Sequence, residues 1–200
     1  VMSLSAGAVS FACDSGDGSF GERDGRAAES TPSPPFRPPA LIDPDSFELR
    51  EVAGQFDSYT IDVPSEWAGE DLRTPGGFGQ RYVLEQDGVQ TVIATVRCEV
   101  GATLDDMMWL DGQITRGLNG QYVPEDAAEV TMGTLRGRRV DSSIPFVSFG
   151  IDHRTYYFHV DPCGWRIDFQ TLGTGLREHY SRLFERIVAS FHPEPFSPPF

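Results

Sequence analysis

The strands of this chain come in pairs joined by turns too short for a crossover, and that spacing dictates an antiparallel sheet. Gln80 to Gln86 and Val89 to Cys98 read as strands meeting at Asp87-Gly88, a dipeptide suited to a hairpin. Val92, Ala94, Val96 and Cys98 share one face of the second strand. Tyr156, Phe158 and Val160 alternate with polar residues, as do Trp165, Ile167 and Phe169. Asp161-Pro162-Cys163-Gly164 between them reads as a type I-like turn. Phe47 to Val52 and Tyr59 to Val63 form earlier strands, the latter stopped by Pro64 to Trp67. Glu129 to Leu135 pairs with Gly137 to Ser142, and Phe146 to Gly150 reads as a short strand.

Two helices interrupt this pattern. Thr103 is an N-cap, and Leu104, Met107, Met108, Ile114 and Leu118 recur at helical spacing. Gly175 to Ser190 carries a stripe of Leu176, Tyr180, Leu183, Phe184, Ile187, Val188 and Phe191. Strands, helix, strands, helix with hairpin connections give an α+β fold, an antiparallel sheet flanked by two main helices. The expected domain spans residues 45–192, followed by a Pro-rich tail over 193–200.

Before the domain the composition changes. Residues 14–44 are rich in Gly, Ser, Asp and Pro, and the run Pro32 to Pro39 favours extended polyproline conformation. This segment reads as a tether or as a plain disordered tail. Gly16, Gly18 and Gly21 match a dinucleotide-loop string, but neither strand nor helix flanks them. Residues 1–13 are short, apolar and end in Ala12-Cys13, like a signal peptide running into a lipobox. That layout makes Cys13 the expected lipidation site. A cleaved secretion signal and an ordinary cytoplasmic N-terminus are the other two readings.

The stretch Tyr59 to Trp67, the middle strand–helix–strand order, Tyr156 to Phe158, Trp165 to Ile167 and a last helix closing on Ser190-Phe191 together resemble the PsbP-like superfamily, which includes many actinobacterial cell-wall lipoproteins. The resemblance runs from about Phe56 to Phe191. It implies a PsbP-like α/β/α sandwich and a non-enzymatic role as an assembly factor, adaptor or ligand binder outside the cytoplasm. It carries no catalytic residues.

Chemistry is sparse. Formal net charge is -14, which disfavours nucleic acid and charge-driven binding to anionic lipid. All sixteen basic residues are Arg, so lysine chemistry is excluded. None of His153, His159, His179 and His192 sits in a catalytic motif. His159 and Asp161 share a strand face, but their spacing matches no known metal site, so no metal and no cofactor are expected. Arg136, Arg138 and Arg139 cluster near a hairpin as an anion site or a solvated strand edge. Met107, Met108 and Trp109 line a lipid-sized pocket or pack the core. Cys98 and Cys163 remain as an even pair for a disulfide in an oxidising compartment, the alternative being a buried free Cys98.

The expected function is a non-catalytic extracytoplasmic binding or accessory lipoprotein of the bacterial envelope. Its partner would be an envelope protein, a glycolipid or a wall polymer, and it would touch the membrane only through its N-terminal anchor. A secreted enzyme acting on envelope material is the alternative, and a purely structural spacer is a third reading.

Overall fold

The computed structural model describes residues 40–74, 76–145, 150–173 and 175–196. Cys13, nearly all of the proposed tether and most of the Phe146–Gly150 strand lie outside them. The elements are β1 (Leu49–Ala53), β2 (Tyr59–Pro64), β3 (Ala68–Thr74), β4 (Gly77–Gln86), β5 (Val89–Val100), α1 (Leu104–Gly117), β6 (Gln121–Tyr122), β7 (Ala128–Met132), β8 (Leu135–Pro145), β9 (Gly150–Val160), β10 (Cys163–Leu172), α2 (Leu176–His179), α3 (Ser181–Ala189) and β11 (His192–Pro193).

A large antiparallel sheet runs β3-β4-β5-β10-β9-β8-β6, with β7 also paired to β8. A small sheet, β1-β2-β11, was not foreseen. The β4–β5 hairpin turns at Asp87 and Gly88, both at positive φ (52° and 76°), the backbone a type I′ turn requires. The β7–β8 turn falls at Gly133 (φ 54°), earlier than expected, so Arg136 belongs to β8. The β9–β10 turn is centred on Asp161-Pro162, joined by a cis bond, and Cys163 already pairs with Val160. That places Pro at the third turn position, where a type I turn disfavours it. Strand β3 escaped notice because AGEDLRT is polar on both faces. It is a largely exposed edge strand whose Glu70 meets Arg81 at 3.1 Å.

The core forms where apolar faces meet. Trp165, Ile167 and Phe169 of β10 and Phe158 of β9 point to one side of the large sheet. There they pack against α3 through Leu183, Phe184, Ile187 and Val188, and against Tyr59, Ile61 and Val63 of the small sheet. Phe184 stacks on Phe169 with centroids 4.3 Å apart. Truncating such a buried ring costs about 3–5 kcal/mol. The helical stripe expected over Gly175 to Ser190 is real, but Tyr180 interrupts the helix (φ -90°, ψ 7°). Chain beyond α3 rejoins the body: β11 pairs with β2, and Phe196 packs on Phe78 at 5.3 Å. The segment read as a tail is therefore part of the fold as far as Phe196. On the opposite face of the large sheet lies α1, which completes three layers.

Cys98 and Cys163 form a disulfide between β5 and β10, with Cα atoms 5.3 Å apart and both residues fully buried. It brackets α1 and the strands that follow it, a sequence separation of 65. Replacing both cysteines by Ala should lower unfolding stability by about 2–4 kcal/mol, read from denaturant midpoints. Thiol titration of the unfolded, non-reduced chain should leave both unreactive; two reactive thiols from these positions would refute the bridge.

Candidate functional site

Helix α1 begins in a full capping box. Thr103 Oγ1 accepts from the Asp106 backbone N–H at 3.2 Å, and Asp106 Oδ2 accepts from the Thr103 N–H at 3.1 Å. Its inward face is Met107, Met108, Asp111, Gly112 and Thr115. The expected apolar stripe holds only in part: Met107 and Met108 are buried against Tyr122, Val140 and Tyr157, and Leu104 is half-buried beside them. Ile114 and Leu118 are instead about half exposed, at 51% and 49%. The sheet beneath α1 is polar where Asp111 meets it. Asp111 Oδ1 accepts from Arg166 Nη1 at 2.6 Å, and Asp111 Oδ2 accepts from the Tyr157 hydroxyl at 2.7 Å. Close approach is possible because residue 112 is Gly; a Cβ there would lie 3.1 Å from the Tyr122 ring.

The network continues along β9 and β10. Asp168 is fully buried and accepts from Thr155 Oγ1 at 2.7 Å and Gln170 Nε2 at 3.0 Å. His153 Nδ1 lies 3.3 Å from Asp168 Oδ1, and Arg166 Nη2 lies 3.8 Å from Asp168 Oδ2. Arg97 stands directly across from Arg166 on β5. Burial alone would raise the Asp168 carboxyl; the His153 hydrogen bond and charge and the Arg166 charge outweigh it and hold Asp168 well below the usual range. Burial likewise opposes the charge on Arg166, but the Asp111 and Asp168 carboxylates keep it fully ionised. Burial pushes Asp111 up against the pull of Arg166. Three atoms on this face, Arg97 Nε, Arg166 Nε and His153 Nε2, are buried without a hydrogen-bond partner among the described residues.

Ser142 pairs directly across from His153, so Ser142, His153 and Asp168 follow the residue order of a hydrolytic triad. Their placement differs. A nucleophilic Ser sits on a sharp exposed turn beside free backbone N–H donors. Ser142 lies within β8, flanked by β9 on one side and Tyr122 of β6 on the other.

Trp109 (63% exposed), Leu110, Ile114 and Leu118 of α1 and its C-terminal cap are exposed, Trp109 on a different flank from the other three. Leu110, Ile114 and Leu118 recur every fourth residue and form one ridge. Val123, just beyond β6, is exposed as well.

No protein-family model matches the chain, and no curated protein matches its sequence. Solved structures do match. The cyanobacterial PsbP, CyanoP, of Synechocystis sp. PCC 6803 superposes with a TM-score of 0.56 over 73% of this chain and 92% of its own, at 13% identity. The fold is PsbP-like. The Ran-binding protein Mog1p of Saccharomyces cerevisiae overlays the same PsbP-like frame at TM-score 0.50 and 15% identity, over 74% of this chain and 96% of its own. LpqN of Mycobacterium tuberculosis, involved in cell envelope biogenesis, gives 0.44 at 14% identity over 75% and 92%, too loose an overlay to build on.

The residues singled out from sequence scatter over this PsbP-like frame. Met107 and Met108 are buried packing, Trp109 points to solvent, and the three do not line one pocket. Arg136 and Arg138 face the α1 side of β8 and border a pocket of about 490 Å³ with Leu104 and Glu129. Arg139 faces the other way, so the arginine cluster is split by strand alternation. His159 Nε2 meets Asp161 Oδ1 at 3.2 Å on the surface, and His179 Nε2 meets the Ile42 carbonyl at 2.8 Å. Among the described residues no group of three or more His, Cys, Asp or Glu is placed to hold a metal, and no helix is long and apolar enough to cross a membrane. Asp111, Arg166 and Asp168 were not anticipated as a unit. Alternation marked Arg166 and Asp168 as a polar strand face, but nothing local said that a helix would cover it.

The depressed Asp168 carboxyl makes stability pH-dependent. Its folded pKa lies below the unfolded value of about 3.9, so its contribution is complete above that value and is lost as pH falls beneath it. Denaturant melts from pH 7 down to 3 should show a steep loss below about pH 4. Asp168→Asn should be less stable at pH 7 and should flatten that loss. An unchanged pH profile in the variant would contradict the assignment.

Proposed function

We propose that this protein is a non-catalytic binding or accessory protein of the bacterial cell envelope, anchored outside the cytoplasm through Cys13. It docks onto another envelope protein through the outer face of α1. The observation that carries this reading is the orientation of that helix: a carboxylate faces inward and Trp109, Leu110, Ile114 and Leu118 face water. Exposed apolar residues in a row, with an exposed Trp on the adjoining flank, suit a protein interface better than solvent. Asp105 and Asp106 lie at one end of the ridge, so the matching surface is an apolar groove with basic residues on that rim. An overall charge of -14 disfavours an anionic lipid surface as the occupant. The Cys98–Cys163 bridge supports an oxidising compartment. Ser142, set within a paired strand, supports a binding role over a secreted enzyme.

A photo-reactive residue at position 109, activated in intact cells, should give a discrete heterologous adduct that disappears when Ile114 and Leu118 are both changed to Ser. Mass spectrometry of the native N-terminus should find diacylated Cys13. Absence of any adduct, or hydrolytic turnover abolished by His153→Ala, would overturn the binding reading, and a mature start elsewhere would remove the anchor.

A further inference from the structure

Beyond that reading, and independent of the α1 ridge, we propose that a second site, at the β8 edge, binds a phosphate ester whose organic part carries hydroxyl groups. Strand β8 pairs with β7 up to Arg139 and with β6 from Ser142 onward. Between them Val140 and Asp141 have no strand partner on that edge among the described residues, and a pocket of about 390 Å³ opens there. Its walls bring Arg139 of β8 and Arg177 of α2 together from two directions.

Behind the pocket, Arg154 is 4% exposed and grips Asp141 with two hydrogen bonds of 2.9 Å each. Burial disfavours the Asp141 charge, but the Arg154 hydrogen bond and charge, with help from Arg177 and Arg139, hold its carboxyl below the usual range. Asp141 is thus committed to Arg154 and presents little free negative charge to a ligand. Arg177 is braced rather than consumed. Its Nε lies 3.1 Å from Glu178 Oε1 and 3.9 Å from Asp141 Oδ2, and its Nη1 donates to the Ser142 carbonyl at 3.4 Å, leaving Nη2 without a partner among the described residues. Arg139 has no ion pair among the described residues. In a chain of net charge -14, the pocket gathers the guanidiniums of Arg139 and Arg177, of which Arg139 and the Arg177 Nη2 are free of ion pairs among the described residues, against the Asp126 carboxylate on its wall.

Two guanidinium forks arriving from different elements suit the tetrahedral oxygens of a phosphate better than the two coplanar oxygens of a carboxylate. The volume exceeds what phosphate alone needs. Gln121, Asp126 and Ser143 line the remainder and suit hydroxyl groups of a sugar or glycerol unit. Such a group could come from a soluble ester or from a phospholipid headgroup.

Calorimetric titration of the whole protein with glycerol 3-phosphate should give saturable binding, several-fold tighter than with glycerol or inorganic phosphate. Arg139→Gln and Arg177→Gln should each weaken it about tenfold or more, as loss of a charge-assisted contact does. Arg136→Gln, on the other face, should leave it unchanged. In the unmodified protein the Gln121 and Ser143 amide resonances should shift on titration, a readout that needs no variant. Sedimentation with phosphatidylglycerol vesicles, competed by glycerol 3-phosphate, would assign the ligand to a lipid headgroup; soluble binding without vesicle binding would assign it to a free ester. No saturable binding, or binding indifferent to both substitutions, would overturn the proposal.

Discussion

The contact of Asp111 with Arg166 and Tyr157 sets the rotation of α1, and much of the molecule's surface character follows from it. A helix laid on an apolar sheet face turns its apolar stripe inward. Here the face beneath is Tyr157, Arg166, Thr155 and Asp168, with apolar ground only at Val140 and the Tyr rings. Leaving Arg166 buried without its carboxylate would cost several kcal/mol. The helix therefore presents Asp111 together with Met107, Met108, Gly112 and Thr115, while Leu110, Ile114 and Leu118 run along an exposed flank beside that face.

The two faces of the large sheet divide the labour. The face toward α3 is packed with aromatic rings, among them the Phe169–Phe184 stack and the Tyr59–Trp165–Phe191 contacts at 5.3 to 5.7 Å. It is closed to solvent and stapled at one end by the Cys98–Cys163 bridge. The α1 face holds the charged network, and the β8 edge holds the arginine-lined pocket.

Much of the frame was readable in the sequence because it rests on local signals. Asp87-Gly88 places a turn, Thr103 with Asp106 starts a helix, and the Leu183 to Phe191 stripe marks a buried face. What was not readable depends on partners distant in sequence. Strand β3 has no alternation because it lies at a sheet edge, and β11 is a two-residue pairing that only β2 defines. Asp111 looks like a solvated helix residue until Arg166, 55 positions away, is brought to it. Arg139 and Arg177 come together where the pairing along the β8 edge passes from β7 to β6. Neighbouring arginines in sequence were, conversely, sent to opposite faces by strand alternation.

The orientation of α1 is the claim on which the rest turns, and hydroxyl-radical footprinting read residue by residue tests it most directly. Methionine is intrinsically oxidised very readily when exposed. With Asp111 inward, Trp109, Leu110, Ile114 and Leu118 should be labelled while Met107 and Met108, at 2% and 4% exposure, stay protected. Labelling of Met107 and Met108 ahead of Trp109 would mean that the helix lies on its other face, and the account of the ridge would fail.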